Sequence, residues 1–547
     1  MIEPHGSATL LAMLKDGSLP EKITALDGQV FDVVVIGGGA VGCSAAREAA
    51  AAGYSVLLVE KGDFASGSSS RSSRLLHCGL RYFEAPNPVR YFTRHPGRFL
   101  TSLSMARQAM RERRELVLTS RERVTPIDFF FPIYSDGPYR PWQVDMAFGL
   151  LKRLAPGDVP LGYNRLKKPE ALQKPMVAAL GNRDRLEGAA QFSEYQFNWP
   201  ERLCIDAVLD AEEAGAVALN YTEARMGDMQ KEARKVTLHG PGGTRATVRG
   251  RRVMAMSGIW IDKVLSGSGK PASRKIFGTK GGHIVIRLPD EYRGQGVSTI
   301  NSWGEPFYCI PWHDLHYIGP TETPYEGDLD DIHVDEHDLE FLLSETAALF
   351  PGLGVTRDKV IRTWAGVRPL TYDPAHPKGS RARELHDLGR EGLEGVYAMT
   401  AAPVMSHRDS GRKITDVLRK GLAPSSTASA LSYRPRLPIE NSNTQPIAEG
   451  AGYTLADVRH AVRHEHARTL LGVLFRRSGV GLRHWFSDAE IARVAEEMGT
   501  ELGWSDAERQ TEIDRYKREI TRLYGVPNRR DKAEINEDAT IQQGERA

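Results

Sequence analysis

The chain has 547 residues, of which 41% are hydrophobic and 26% charged, and its formal net charge is +2. This length exceeds what one hydrophobic core usually organises, so we expect two or three domains. The near-neutral charge argues against a nucleic-acid binder, the lack of a long apolar run against a membrane-spanning helix, and four cysteines without a CxxC pair against a metal site. Residues 1–30 are predicted to form an N-terminal arm rather than a signal peptide, since no basic cluster precedes the short apolar run at 10–14.

A βαβ unit is the first predicted part of the fold. Residues 31–36 (FDVVVI) form an apolar, β-branched run typical of a strand buried on both faces. Glycines follow at once, and an alanine-rich helix is predicted over 45–52. A second buried strand over 55–59 ends at Glu60.

The glycines between the first strand and the helix form a GxGxxG motif. Gly37 permits a tight turn, Gly39 lets the backbone approach a pyrophosphate, and Gly42 allows the helix to pack closely on the strand. The helix N-terminus then directs its amides at the phosphates. Glu60 stands where a carboxylate accepts hydrogen bonds from an adenosine ribose. These features in this order predict a dinucleotide site, for either FAD or NAD.

A serine-rich run follows this unit. Residues 64–74 (FASGSSSRSSR) offer many small donors, and the run continues into an apolar, aromatic stretch over 75–83. Such a segment can follow a bulky ligand closely, which favours a flavin over a nicotinamide cofactor.

The rest of the chain mixes helices with strands before turning helical. A basic helix is predicted over 101–123, strands over 282–287 and 307–311, and a helix over Glu336–Leu349. Interleaved strands and helices over this length indicate a mixed-sheet domain built on the nucleotide domain. Residues 454–524 read as amphipathic helices.

The segment from Arg74 to Glu84, RLLHCGLRYFE, resembles the Lys-Leu-Ile-His-Gly-Gly-Leu-Arg-Tyr-Leu-Glu pattern of the FAD-dependent glycerol-3-phosphate dehydrogenases, within the wider D-amino-acid-oxidase-like flavoproteins. Further collinear matches are SGIW at 257–260, KGGHIV at 280–285, IPW at 310–312, IGPTE at 318–322 and WAGVRPL at 364–370. The resemblance covers about residues 31 to 420.

The resemblance implies an α/β fold with a Rossmann-like FAD-binding domain, an interleaved mixed-sheet substrate domain and a C-terminal helical domain. The expected parts are the N-terminal arm (1–30), the FAD-dependent oxidoreductase region (31–421), a linker (422–448), the helical domain (449–530) and a disordered tail (531–547). The implied reaction oxidises sn-glycerol-3-phosphate to dihydroxyacetone phosphate, with hydride transfer to FAD and electrons passed to a quinone. The alternatives are another polyol phosphate as substrate, an oxidase of glycerophosphate or an amine that reduces oxygen, and a flavin-binding protein that has lost catalysis.

The resemblance also implies site residues. Arg81 and Arg368 correspond to substrate-phosphate positions, where a guanidinium binds two oxygens at once, and Tyr82 adds a hydroxyl donor. His77 is the candidate base or polariser, with a purely structural role as the alternative. The predicted FAD-binding residues are Gly37, Gly39, Gly42, Glu60, Lys61, Ser68, Ser69, Ser73, Leu75, Gly258 and Gly411.

The family lysine in Gly-Gly-Lys-Leu-Thr-Thr-Tyr-Arg is absent from residues 403–412 (PVMSHRDSGR), so His407 or Arg408 is the candidate replacement.

The basic, aromatic stretch over 90–123 is either a contact with anionic lipid or a solvated helix face. A cytoplasmic location, peripheral on the inner face of the cell membrane, follows from the first reading.

Overall fold

The computed structural model describes residues 14, 17–83, 88–154, 157–375, 379–433, 435–436 and 445–528. Its strands in chain order are β1 (Val30–Ile36), β2 (Val56–Val59), β3 (Leu75–Leu76), β4 (Val124–Tyr134), β5 (Asn164–Lys167), β6 (Leu186–Phe197), β7 (Val217–Leu219), β8 (Glu223–Gln230), β9 (Ala233–His239), β10 (Arg245–Ala255), β11 (Ile276–Ile286), β12 (Gln295–Ile300), β13 (Pro306–Trp312), β14 (Leu315–Gly319), β15 (Thr323–Pro324), β16 (Val360–Thr371), β17 (Glu384–Asp387) and β18 (Val396–Thr400).

Helices occur between the strands and dominate the C-terminal part. They are α1 (Leu19–Ala25), α2 (Ala40–Ala51), α3 (Pro88–Arg94), α4 (Pro96–Thr119), α5 (Pro141–Leu154), α6 (Lys168–Ala171), α7 (Pro175–Ala178), α8 (Pro200–Glu213), α9 (Ile261–Ser266), α10 (Glu336–Leu349), α11 (His407–Gly421), α12 (Leu455–His464), α13 (Asp488–Leu502) and α14 (Asp506–Tyr524). None of the helices in the described ranges has the length and hydropathy that crossing a bilayer requires.

The first sheet is built around the predicted βαβ unit. Its strand order is β17-β18-β10-β1-β2-β7, and β9 pairs with both β10 and β8. Strands β18, β10, β1, β2 and β7 run parallel. Almost every residue of β1 and β2 is buried, as expected for parallel strands covered on both faces. Helix α2 packs against α8 and α11 beside this sheet.

The second sheet faces the first across a cavity. Its order is β15-β11-β14-β13-β12-β4-β6-β3, with β16 paired to β11 and β5 paired to β6. Long antiparallel ladders join β11 to β16 and β4 to β6. The chain enters this sheet at β3, directly after the serine-rich run, and so links the two sheets early.

The C-terminal part consists of α12, a π-helical turn (Gly472–Arg477), α13 and α14. Thr454, Ser487 and Ser505 cap the three α-helices, each through a reciprocal bond with the acid at the third helical position. Buried apolar residues of these helices share one core with residues of the second sheet. The mixed α/β fold with a C-terminal helical domain is therefore confirmed.

Most predicted elements are present with adjusted ends. The helix predicted over 45–52 begins at Ala40, since Gly39 takes an extended N-cap conformation, and α10 has the predicted bounds. The basic helix ends at Thr119, before a short 3₁₀ turn (Arg121–Arg123) that leads into β4. The described part of the N-terminal arm contains α1, whose Leu19 and Ile23 are buried. The predicted tail at 531–547 and most of the linker's second half lie outside the described residues.

Candidate active site

One large cavity, of about 1370 Å³, lies between the two sheets. Predicted site residues that line it are Gly37, Gly39, Glu60, Lys61, Ser68, Ser69, Ser73, Leu75, His77, Arg81, Tyr82, Gly258 and Arg368. The structure thus brings the glycine motif, the serine-rich run and the arginines to one space, although β16 is far from the others in sequence.

The glycine motif is required by close backbone contacts. Gly37 has a φ of 110°, and a Cβ there would lie 2.7 Å from the carbonyl oxygen of Met256. A Cβ at Gly42 would lie 1.8 Å from the carbonyl oxygen of Gly37. Gly42 does not line the cavity; its role is the close packing of α2 on β1.

Glu60 is fixed by backbone amides at the end of β2. The amide of Gly38 donates to Oε2 at 2.7 Å, and that of Gly62 to Oε1 at 2.8 Å. Burial raises the pKa of Glu60, and these amide donors offset part of that rise. A carboxylate has about four acceptor positions, so both oxygens keep capacity for hydroxyl donors. The ammonium of Lys61 pairs with Asp330 at the cavity rim.

The serine-rich run ties the two sheets together. Ser69 Oγ accepts a hydrogen bond from the amide of Ala40 at 2.9 Å, at the start of α2. Ser68 Oγ donates to the carbonyl oxygen of Val367 in β16 at 2.6 Å. Ser73 Oγ lies 3.1 Å from His283 Nε2 in β11. The run therefore follows the cavity wall from the first sheet to the second.

The opposite end of the cavity carries a cluster of arginines around one carboxylate. Glu322 lies 3.9 Å from Arg368 Nη1 and pairs through its other oxygen with Arg381. Burial alone would raise the pKa of Glu322, but Arg368, Arg381 and Arg81 lower it below its ordinary value. Burial and the nearby Arg81 lower the pKa of Arg381 to about 10. One carboxylate against several guanidinium groups leaves this end positive and suited to an anion.

Two histidines in the cavity wall are neutral. Burial, with the nearby Arg81, lowers the pKa of His77 to about 3, and burial with Arg368 does the same for His283. Within the described ranges His77 Nδ1 is buried and has no hydrogen-bond partner, and its ring meets that of Tyr82 edge-on at 5.6 Å. His283 stacks on Trp364 at 5.1 Å, which leaves it less freedom than His77.

Comparison with protein families identifies the family of this chain and its cofactor. A family model described as FAD dependent oxidoreductase matches residues 32–411, and one described as the C-terminal domain of alpha-glycerophosphate oxidase matches residues 411–509. The chain belongs to the FAD-dependent oxidoreductases. Its cofactor is FAD, as the glycine motif and the serine-rich run predicted.

Curated relatives and solved structures agree with this family. The chain is 28% identical to a glycerol-3-phosphate dehydrogenase of Synechocystis, over 90% of this chain and 96% of the relative. It is also 28% identical to an aerobic glycerol-3-phosphate dehydrogenase of Staphylococcus aureus, over 72% of this chain and 67% of the relative. The fold matches the glycerol-3-phosphate dehydrogenase of Bacillus halodurans complexed with FAD, with a TM-score of 0.68, 21% identity and coverage of 92% and 96% of the two chains.

The residues of this oxidoreductase fit FAD. The glycine turn leaves no room for a Cβ at Gly37 or Gly42, Gly39 lines the cavity at the start of α2, and Glu60 keeps acceptor positions for ribose hydroxyls. A Cβ at Gly258 would meet nothing within 4 Å, so the backbone there leaves open space for a ligand. The cavity continues from this end to the arginine cluster, with room for both a dinucleotide and a small substrate.

Some residues of the site escaped the sequence analysis. Arg381 and Arg383 line the cavity just before β17, in a stretch that matches no quoted motif, so no sequence signal pointed to them. Arg383 donates to Ser410 Oγ at 2.8 Å and pairs with Asp409. Glu322 stands within the quoted IGPTE segment, so the available signal was a carboxylate in a segment that resembles the family.

Three predicted residues near the start of α11 lie away from the cavity. His407 is 2% exposed, and its Nδ1 faces the carbonyl oxygen of Val404 at 2.8 Å. A Cβ at Gly411 would lie 2.6 Å from the carbonyl oxygen of Ser44, so this glycine permits α11 to pack on α2. Arg408, the other candidate replacement for the lysine, donates to Ser120 Oγ at 2.8 Å. Residues 404–406, which precede α11, line the cavity instead.

Proposed function

We propose that this oxidoreductase converts sn-glycerol-3-phosphate to dihydroxyacetone phosphate. The observation that carries the proposal is the cluster of Arg81, Arg368 and Arg381 at the end of the cavity opposite the glycine motif. Planar guanidinium groups suit a phosphate dianion. The relatives' names, glycerol-3-phosphate dehydrogenase in each case, support the same substrate.

When bound, FAD supplies the acceptor for the hydride that leaves C2 of the substrate. The chain's part is orientation and charge. Arg368 Nη1 is buried without a hydrogen-bond partner among the residues that the structure describes, so a phosphate oxygen there would satisfy this donor. Glu322 holds Arg368 and Arg381 in place from behind. Binding the phosphate by several arginines fixes the distance of C2 from the cofactor end of the cavity.

His77 is the group proposed to handle the hydroxyl proton. Its imidazole is neutral over the working pH range because its pKa is lowered to about 3, and its Nδ1 has no other partner. A neutral imidazole with a free nitrogen accepts the hydrogen bond of the substrate hydroxyl. A strong base is not needed, since loss of the hydride makes the hydroxyl proton much more acidic.

Anaerobic mixing with substrate tests the proposal. The flavin of the purified protein should bleach rapidly with sn-glycerol-3-phosphate and remain oxidised with glycerol, glycine or proline. A tetritol phosphate tests the second polyol-phosphate candidate, which the absence of the family lysine from residues 403–412 favours. A flavin that stays yellow with every phosphorylated polyol would refute the assignment.

The electron acceptor is proposed to be a quinone. Oxygen is the second candidate, because the match at 411–509 is to a domain of alpha-glycerophosphate oxidase. After reduction by substrate, a soluble quinone analogue should reoxidise the flavin at least about tenfold faster than air-saturated buffer does. Stoichiometric peroxide at a comparable rate would instead identify an oxidase.

Contact with the inner face of the cell membrane is part of the same proposal. Leu100 of α4 and both Trp142 and Met146 of α5 are more than half exposed, with Arg98 near Leu100 and Arg140 near Trp142 in sequence. Exposed apolar side chains among cations suit a surface that binds anionic lipid. The protein should co-sediment with vesicles of anionic lipid and not with neutral ones, and replacing these three residues by serine should abolish co-sedimentation without affecting flavin content.

A further inference from the structure

The loop after β2, which begins with Glu60, is held from behind by the C-terminal helices. Asp63 in this loop is 1% exposed. Its two oxygens accept hydrogen bonds from both Nη atoms of Arg477, one of them at 2.9 Å, and both side chains are fully buried. Burial alone would raise the pKa of the Asp63 carboxyl, but Arg477 and Arg476 hold it below its ordinary value. The pair is therefore ionised and joins the π-helical turn to the nucleotide loop.

Neighbouring contacts extend this junction to the glycine turn. Asn220 donates to Asp63 Oδ1 at 2.9 Å and to the carbonyl oxygen of His466 at 2.8 Å. The ring of Phe64 meets that of His466 edge-on at 5.5 Å. Phe64 also packs so closely on Gly38 that a Cβ there would lie 2.6 Å from its ring. The loop is thus enclosed between the glycine turn and the C-terminal domain.

The position of the Asp63–Arg477 pair connects it to the groups that surround the FAD site. A buried ion pair adds little net stability compared with apolar packing, but removing one partner leaves a buried charge uncompensated. Asp63 cannot move without moving Phe64, and Phe64 contacts Gly38, whose amide fixes Glu60. Loosening Arg477 therefore releases the groups that hold the adenosine half of FAD.

We propose that Asp63 and Arg477 are positioning residues through which the C-terminal domain holds the FAD-binding loop in its binding conformation. Docking of that domain and binding of FAD then reinforce each other, and the coupling must act equally in both directions. This inference concerns the cofactor alone and is independent of the substrate proposed above.

The first test measures FAD affinity of the apo-protein by flavin fluorescence titration. Asp63→Asn, Arg477→Met and the double variant should each raise the Kd for FAD by about tenfold to a hundredfold. The double variant should be no worse than the worse single one, because the two residues act as a unit. The matched control is Glu497→Gln, which breaks the pair of Glu497 with Arg459, at 2.5 Å, between α12 and α13 of the same domain. Its Kd for FAD should stay within about twofold of the unmodified protein.

The second test uses the unmodified chain and so does not depend on variants that fold. Adding FAD to the apo-protein should slow amide hydrogen exchange across Gly472–Arg477 and leave α13 (Asp488–Leu502) unchanged. Unchanged exchange at the π-helical turn would overturn the proposal. So would a Kd for FAD that is unaffected in Arg477→Met, or one that rises as much in Glu497→Gln as in Asp63→Asn.

Discussion

The two ends of the cavity are assembled in different ways. The FAD end takes Gly37, Gly39 and Glu60 from one βαβ unit, where successive elements are neighbours in space. The arginine end takes Arg81, Glu322 and Arg368 from distant segments that meet only when the second sheet has formed. The glycine motif and Glu60 are thus brought together within one unit of the chain, whereas the residues of the arginine end meet only through tertiary assembly. Substitutions at the two ends should therefore affect different steps.

The largest effect is expected at the arginine end. Arg368→Ala should lower kcat/KM for sn-glycerol-3-phosphate about a thousandfold, since it removes a charge-assisted phosphate contact and leaves Glu322 with less compensation. Steady-state kinetics measure the effect at the arginine end, and flavin absorbance measures the FAD content. FAD content should stay normal, and Arg368→Lys should recover only part of the activity. Equal loss of FAD and activity would erase the distinction between the two ends.

At the other end, Glu60→Ala should weaken FAD binding about a hundredfold, because it removes both the ribose acceptor and the anchor of the Gly38 amide. Titration of the apo-protein with FAD gives the Kd. At saturating FAD, KM for the substrate should change less than about twofold. A large change in KM under those conditions would show that the two ends are coupled.

The pH dependence of the free energy of unfolding tests how burial affects His283 in the cavity wall. His283 is 2% exposed, and burial lowers its pKa from 6.5 to about 3. The unfolded chain therefore binds a proton that the folded chain does not, and stability falls as the pH drops from 6.5 toward 3 by about 1.4 kcal/mol per unit. Denaturant unfolding should show a slope smaller by this amount in His283→Asn. The exposed His337→Asn should keep the slope of the unmodified protein.

The smallest effect is expected at His407, a candidate replacement for the family lysine. His407→Asn should leave kcat/KM within about twofold, because its ring lies outside the cavity. Arg381→Ala should lower kcat/KM at least about tenfold, since this guanidinium lies beside Glu322 in the cavity. Kinetics of the two variants, at matched flavin content, compare them directly. The reverse order would place the substrate at the start of α11.

The sequence by itself determined the FAD end of this protein. Strand, glycine turn, helix, strand and acid follow one another within one unit, so the period of the apolar residues and the identity of Gly37, Gly42 and Glu60 were enough to predict it. The length of α10 was equally readable, since its cap and apolar spacing are local signals.

At the arginine end, the family resemblance indicated Arg81 and Arg368, and the tertiary structure added Arg381 and Glu322. Arg381 lies just before the short edge strand β17 and belongs to no motif. It meets Glu322, which lies between β14 and β15, because the two sheets face one cavity. The start of α11 resembled part of the substrate site in sequence, yet the ring of His407 faces the Val404 carbonyl and Gly411 allows α11 to pack on α2. Local patterns fix which residues form an element, but the direction in which a side chain points is set by what packs against that element.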